Sequence, residues 1–265
     1  MKGLIAYYST TGNTRKICEL IQRSIPEIPF DLLAISQGTK IAVSDYDIFG
    51  FATFADELRI PELMKDFFIN NKTDIKKPTF VLNTHGSISG RTLTDLISFS
   101  GNSGFTVINA ISVHTPENFP PMIKLGLSFG TQPSKNQEKK LKAFIASLRK
   151  NIQSILENRE AREIKPNVIA SHFPLPRRFM SSKGLGELRF DPVKCTVCKI
   201  CERDCPSHAI TFTEKFSVDA SKCQKCWKCY NRCPTNAIYG THFPGGYQYK
   251  NFNLTVRLES FNLKK

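Results

Sequence analysis

Apolar residues in the first part of the chain follow two alternating patterns, which are typical of buried strands and of amphipathic helices. Short apolar runs predict five strands, at residues 4–8, 30–35, 46–52, 80–83 and 105–113. Between and after them, apolar residues spaced three to four positions apart predict four helices, at residues 14–25, 61–69, 91–99 and 135–156. Strands that alternate with helices predict an α/β fold with a parallel sheet covered on both faces.

The periodicity is lost after residue 158, where we place the end of the first domain. Residues 159–187 contain prolines and many basic side chains, and we expect an extended linker that offers a docking surface. A merely solvated basic connector is the alternative. Residues 188–241 form a second predicted domain, and the aromatic and polar tail at 242–265 is expected to pack between the domains.

The second predicted domain contains eight of the nine cysteines, arranged in two copies of one spacing. The two runs read Cys195-x-x-Cys198-x-x-Cys201-x-x-x-Cys205-Pro206 and Cys223-x-x-Cys226-x-x-Cys229-x-x-x-Cys233-Pro234. This is the ligand spacing of bacterial two-cluster ferredoxins, in which the fourth cysteine of each run ligates the other cluster. The spacing therefore predicts two [4Fe–4S] clusters, one held by Cys195, Cys198, Cys201 and Cys233 and the other by Cys223, Cys226, Cys229 and Cys205.

Two other uses of these cysteines fit the sequence less well. Structural zinc favours two separated Cys-x-x-Cys pairs rather than triplets with a fourth member before proline. A disulfide framework suits a small secreted chain, and we expect no signal peptide here.

The repeat extends beyond the cysteines. At the same offset Asp191 corresponds to Asp219, and Ala209 corresponds to Ala237. This internal similarity predicts two equivalent halves related by a pseudo-twofold axis.

Length and charge limit the class of protein. A chain of 265 residues with 40% hydrophobic residues has room for one or two cores, and no apolar run is long enough to cross a bilayer. Ligating cysteines must stay reduced, so we expect a cytoplasmic protein. The formal net charge of +14 favours redox partner proteins with an acidic surface; nucleic acid is a less plausible partner, because no motif supports it.

The turn after the first strand is rich in hydroxyl groups and precedes a helix. Its residues are Ser9, Thr10, Thr11, Gly12, Asn13 and Thr14. Hydroxyls, a glycine and the free N–H groups of a helix N-terminus form a cradle for an anion. The turn lacks the lysine of a nucleoside triphosphate loop, so a buried phosphate monoester is the predicted ligand and a plain helix cap is the alternative.

This turn resembles the phosphate loop of flavodoxins, and the similarity covers roughly residues 1–156. With the cysteine repeat behind it, the chain resembles the anaerobe family of fusions between a flavodoxin-like domain and a ferredoxin with two [4Fe–4S] clusters. The resemblance implies FMN as a cofactor and a doubly wound sheet of five parallel strands in the order 2-1-3-4-5, followed by an α+β ferredoxin domain. It also implies two further FMN loops, which contain Thr53, Phe54, Ala55, Asp56, Glu57 and Thr84, His85, Gly86, Ser87, Ser89, Gly90.

Several positions in these loops depart from the flavodoxin pattern. Phe54 is the expected apolar neighbour of the isoalloxazine, and His85 stands where flavodoxins usually carry tyrosine. Ala55 replaces a glycine whose backbone turns toward the flavin, and alanine resists the positive φ that this turn needs. His114 is expected to be structural, and Cys18 is expected to be a buried packing residue.

Two complete redox motifs on one chain predict a protein that passes electrons between two [4Fe–4S] clusters and FMN. Whether it is an enzyme stays open, because an FMN-dependent reductase of a quinone, nitro compound or oxygen species would carry the same motifs. A redox-sensing adaptor is a third possibility that no residue specifically favours. A homodimer that transfers electrons between chains is compatible with the linker.

Overall fold

The structure is a computed structural model that describes residues 1–126, 134–159, 161–166, 184–213 and 216–249. Most of the predicted basic linker and the end of the predicted tail, residues 250–265, lie outside the described residues.

The first half of the chain forms a sheet of five parallel strands in the order β2-β1-β3-β4-β5. This is the strand order that the family resemblance implies, so the predicted fold class is confirmed. The strands are β1 Gly3–Tyr7, β2 Phe30–Ala34, β3 Ile48–Phe54, β4 Lys77–His85 and β5 Phe105–His114. The helices in this part of the chain are α1 Asn13–Ser24, α2 Glu62–Asn70, α3 Thr92–Asn102, α4 Pro120–Lys124 and α5 Lys135–Leu156.

Each face of the sheet has its own apolar core. On one face, α1 and α5 bury side chains such as Ile17 and Leu148, together with the Cys18 thiol, which is 0% exposed as expected for a packing residue. On the other face, α2 and α3 bury a cluster rich in aromatic rings, including Phe67 and Leu96. Helices on both faces explain why the strands are continuous apolar runs rather than alternating ones.

The predicted strand limits differ from the observed ones where polar residues are buried. β4 begins at Lys77 rather than at residue 80 because Thr79, which is 0% exposed, donates its hydroxyl hydrogen to Phe49 O at 3.0 Å. β3 begins two residues later than predicted because Tyr46 lies outside the strand and donates its hydroxyl hydrogen to Asp31. The five-residue helix α4 was not predicted, since it is too short for a helical period to show.

The described residues of the C-terminal part include four short strands and two short helices. They are β6 Leu188–Phe190, α6 Ile200–Arg203, β7 Ile210–Phe212, β8 Phe216–Val218, α7 Lys228–Arg232 and β9 Ile238–Gly240. β6 pairs antiparallel with β9, and β7 pairs antiparallel with β8.

The backbone of this part repeats with the spacing of the cysteine motif. Left-handed φ values occur at equivalent positions of the two copies: Val197 and Lys225, Lys199 and Trp227, His208 and Asn236. The halves also exchange equivalent hydrogen bonds, because Asp191 N donates to Ala237 O at 2.8 Å and Asp219 N donates to Ala209 O at 2.8 Å. Such reciprocal bonds are those of two halves related by a pseudo-twofold axis.

Among the helices that the structure describes, none combines the length and apolar character needed to cross a membrane.

Candidate cofactor-binding site

The hydroxyl-rich turn lies between β1 and α1 and leaves the start of the helix without a side-chain cap. Gly12 has φ 99°, a left-handed conformation that favours glycine, and α1 begins at the next residue. The Ser9 hydroxyl is used inside the turn, where it accepts the Gly12 N–H at 3.2 Å. The first main-chain N–H groups of α1, at the positive end of the helix, therefore suit an anion such as a phosphate.

The three predicted FMN loops meet at the carboxyl edge of the sheet. Thr14 of the first loop hydrogen-bonds to Thr84 of the third loop through their hydroxyls at 2.9 Å. Ala55 N, in the second loop, donates to Thr84 O at 2.8 Å. In α/β sheets, this edge beside the switch in strand order is where ligands bind.

The second loop makes its tight turn beyond Ala55. The left-handed residues are Glu57, with φ 48°, and Leu58, with φ 70°, whereas Ala55 does not have a positive φ. Gly90 of the third loop packs on this turn so closely that an added Cβ would lie 2.4 Å from the Leu58 Cβ. The Thr53 hydroxyl is buried and has no hydrogen-bond partner among the described residues, so a ligand with polar edges fits beside it.

His85 lies beside a second histidine. β4 and β5 end in register at His85 and His114, whose rings are 5.6 Å apart and nearly perpendicular. Burial lowers the pKa of His85, and this effect outweighs the hydrogen bond between Nδ1 and Gly86 O, at 3.0 Å, which raises it. His114, which we expected to be structural, lies at the end of the adjacent strand and therefore beside the same crevice.

Glu117 anchors the third loop, and nothing in the sequence singled it out. Its carboxylate accepts N–H groups from Ser87 at 3.3 Å, Asn118 at 3.0 Å and Phe119 at 3.1 Å. A Cβ at Gly86 would lie 2.1 Å from Glu117 Oε2, so only glycine permits this approach. The carboxylate thus ties the third loop to the segment that follows β5.

The eight repeat cysteines line two separate cavities in the C-terminal part. We call one group the outer thiol set, which consists of Cys195, Cys198, Cys201 and Cys233. The other group is the inner thiol set, which consists of Cys205, Cys223, Cys226 and Cys229. The cavities measure ≈ 380 Å³ and ≈ 360 Å³ when their openings to solvent are included. Each set draws its fourth thiol from the other copy of the repeat, and the group that each set binds stays a prediction.

Main-chain N–H groups point at several of these sulfurs. Ala209 N donates to Cys205 Sγ at 3.3 Å, and the equivalent Ala237 N donates to Cys233 Sγ at 3.2 Å. Burial raises the pKa of the Cys229 thiol well above its ordinary value. A positively charged iron centre reverses such a shift by binding the thiolate, and N–H donors further stabilise the bound sulfur. No group of three or more His, Cys, Asp or Glu side chains in the described ranges has the geometry for a single metal ion.

The inner thiol set lies against the five-stranded part of the molecule. Burial raises the pKa of the Cys226 thiol, and the nearby Tyr8 hydroxyl lowers it by a smaller amount. The Tyr8 ring lies 5.1 Å from the ring of Phe54 in the second loop. Tyr8, which is 1% exposed, thus lies near both a predicted FMN loop and the inner thiol set.

Two further contacts hold the same two parts together. The Trp227 ring, which is 5% exposed, lies 5.6 Å from that of Phe119. In the segment that follows β9, the Tyr249 hydroxyl donates to Oδ1 of Asn13 in the phosphate loop at 2.8 Å. Two candidate cofactor sites therefore lie next to each other within one chain.

Comparisons with known proteins match different relatives to the C-terminal and the N-terminal parts of the chain. Residues 194–237 match the family model described as a 4Fe-4S dicluster domain. No curated protein sequence matches the chain. The dicluster match and the observed strand order together fit a fusion of a flavodoxin-like part with a ferredoxin-type part.

Similar solved structures cover the N-terminal part. Oxidised Flavodoxin 2 from Bacillus cereus shares 17% identity and covers 57% of this chain and 99% of its own, with a TM-score of 0.46. A flavodoxin from the domain Archaea shares 13% identity over 58% of this chain and 99% of its own, with a TM-score of 0.42. Rubredoxin oxygen:oxidoreductase from the anaerobe Desulfovibrio gigas shares 14% identity over 58% of this chain and 37% of its own, with a TM-score of 0.41.

Proposed function

We propose that this protein transfers electrons between FMN, bound at the carboxyl edge of the five-stranded sheet, and two [4Fe–4S] clusters bound by the outer and inner thiol sets. The observation that carries the proposal is the contact between the two parts of the chain. The ring of Trp227, the residue after Cys226, lies 5.6 Å from that of Phe119, and the Tyr249 hydroxyl donates to Asn13 Oδ1 in the phosphate loop at 2.8 Å. Because the two sites adjoin within one chain, transfer between them needs no second subunit.

The three loops have separate tasks in holding FMN. The turn at Ser9–Thr14 supplies hydroxyls and uncapped helix N–H groups to the phosphate. The loops at Thr53–Glu57 and Thr84–Gly90 flank the crevice, and Phe54 offers it an apolar face. FMN supplies an acceptor of one or two electrons, which matches carriers of single electrons to reactions that use pairs.

The thiol sets and their surroundings have a different task. Eight thiolates bind iron, while the N–H groups of Ala209 and Ala237 and the apolar side chains around them set how readily each cluster takes an electron. We propose that residues 188–241 form this domain, residues 1–158 the FMN domain, residues 159–187 the linker and residues 242–265 a tail between them.

A reductase of a small acceptor is the second candidate function. The pair of imidazoles at His85 and His114 favours it, because two polar rings at the edge of a flavin crevice would suit a quinone or a nitro compound. A redox-sensing adaptor has no observation in its favour.

Anaerobic stopped-flow spectroscopy tests the proposal and separates the two candidates. The reconstituted protein is mixed with reduced ferredoxin, NADH or NADPH, and quinone and nitro acceptors are then added. Rapid reduction by ferredoxin without preference among acceptors supports a carrier, whereas saturable turnover of one acceptor supports the reductase. If none of the three donors reduces both the flavin and the clusters, electron transfer is refuted as the function.

A further inference from the structure

The outer thiol set reaches the surface of the molecule, and the chain around it is exposed. Cys198 is exposed, and the side chains on both sides of it in sequence are exposed as well. Val193 is 93% exposed and Val197 is 52% exposed, although valine side chains are usually buried. Two apolar side chains therefore lie in solvent beside an accessible ligand cysteine.

The second copy of the repeat shows that this exposure is not a general property of the motif. The position equivalent to Cys198 is Cys226, which is half-buried, and the position equivalent to Lys199 is Trp227, which is 5% exposed. Among the described residues, the inner thiol set lies against the five-stranded part of its own chain, while Cys198 of the outer thiol set is exposed.

Basic side chains flank the exposed valines. Lys194 and Lys199 are both exposed and lie on either side of Val197 in the sequence. Lys194 pairs with Asp191 at 3.3 Å, and that carboxylate is the one acidic group in the segment from 191 to 199. A small apolar centre with a basic rim is typical of surfaces that bind an acidic partner briefly and reversibly.

We propose that the surface formed by Val193, Lys194, Val197, Cys198 and Lys199, which we call the outer surface, docks a small acidic one-electron carrier protein. This inference rests on the proposed function, because only a redox partner needs to approach the outer thiol set. A second copy of this chain is a poor occupant, since two chains with a formal charge of +14 repel each other at a basic patch. A short patch of this kind suits the low end of interface sizes, below about 1,200 Å².

The chain provides a matched control for this proposal. Lys222 occupies the position equivalent to Lys194 in the second copy, and it pairs with Asp219 at 3.3 Å, as Lys194 pairs with Asp191. The two lysines are also similarly exposed, at 52% and 60% of the side chain. They differ in that Lys194 belongs to the outer surface and Lys222 does not.

The test measures binding of a small acidic ferredoxin to the holoprotein by anaerobic isothermal titration calorimetry. We expect the double variant Lys194→Glu with Lys199→Glu to bind the ferredoxin about tenfold more weakly than the wild-type protein, or weaker still. Raising the salt concentration from about 50 mM to about 300 mM should abolish most of this difference between variant and wild type. Lys194→Glu alone weakens binding more than Lys222→Glu, which changes it by less than about twofold. Iron content and thermal unfolding, measured on every variant, show that the fold and clusters are intact.

Three results would overturn the proposal: no binding of the ferredoxin by the wild-type protein, equal effects of Lys194→Glu and Lys222→Glu, or self-association of the chain that Lys194→Glu abolishes. Iron and FMN are quantified in the same samples. Loss of FMN with binding intact would refute the proposed function and leave the outer surface as a docking site, whereas full cofactor content without binding would refute only the docking.

Discussion

Replacing Tyr8 by phenylalanine removes one hydroxyl from the contact between the inner thiol set and the five-stranded part. The ring stays, so the contact with the Phe54 ring at 5.1 Å is retained. The interaction of the hydroxyl with Cys226 is lost. Hydrogen bonds to the sulfurs help set the potential of an iron–sulfur cluster, because they stabilise the more negative, reduced state.

An upper limit to the expected effect follows from the strength of a hydrogen bond to a charged sulfur. A hydrogen bond to a charged acceptor contributes about 1.5–3 kcal/mol, and only the part that differs between the oxidised and reduced states changes the potential. A differential of about 1 kcal/mol corresponds to about 40 mV for a one-electron couple. Tyr8→Phe should therefore lower the potential of one cluster by a few tens of millivolts, on the order of 40 mV, and leave the other cluster unchanged.

An anaerobic redox titration followed by electron paramagnetic resonance measures both clusters in one experiment. Tyr230→Phe is the control, since the Tyr230 hydroxyl is also in the C-terminal part but donates to Pro244 O at 2.9 Å rather than to a thiol. Cys198→Ser identifies the signal of the outer set. Equal shifts of both clusters, or the same shift in the Tyr230 variant, would refute the role given to Tyr8.

Three further predictions concern the fold and the FMN crevice. Gly50→Ala places a Cβ 2.3 Å from Phe80, whose ring is 0% exposed and closely packed, and should lower the free energy of unfolding by about 1–3 kcal/mol in a urea titration. Tyr249→Phe removes the 2.8 Å hydrogen bond to Asn13 and should weaken FMN retention by about fivefold, which corresponds to about 1 kcal/mol, as measured by fluorescence of released flavin. Burial lowers the pKa of His85, so the unfolded chain binds a proton at this side chain before the folded chain does as pH falls. The free energy of unfolding should therefore decrease below about pH 6.5, and His85→Gln should reduce this loss in thermal unfolding scans.

Gly101→Ala, on α3 with nothing within 4 Å of an added Cβ, should not destabilise the protein as Gly50→Ala does. An unchanged rate of flavin release in Tyr249→Phe would contradict the role of that hydroxyl in the phosphate loop. A loss of stability at acid pH that is identical in His85→Gln and wild type would assign it to other groups.

Features with a strong local pattern were predictable from the sequence. Helix α5 occupies Lys135–Leu156, the range that its apolar spacing predicts, because one face of a long helix packs on the sheet. Strand β4 was predicted too short, since a buried Thr79 satisfied by a main-chain carbonyl looks polar in the sequence. The prediction holds for α5 and fails at the start of β4 because tertiary packing can satisfy a buried polar group, and no local sequence pattern reveals this.

The contacts between the two parts of the chain were not predictable. Tyr8 is one apolar residue of a strand in the sequence, and its contact with Cys226 depends on how distant segments meet. His114 and Glu117 join the crevice only because β5 lies beside β4. The two copies of the cysteine motif are alike in sequence spacing, so the difference between an exposed Cys198 and a half-buried Cys226 also appears only in the folded chain.

The most direct test of the proposed function is the content of iron, acid-labile sulfide and flavin in protein reconstituted without oxygen. We expect about eight irons and about eight sulfides per chain, as two four-iron clusters require, together with about one FMN. Two zinc ions per chain in place of iron, or a protein that retains no FMN at full iron occupancy, would contradict the proposed function.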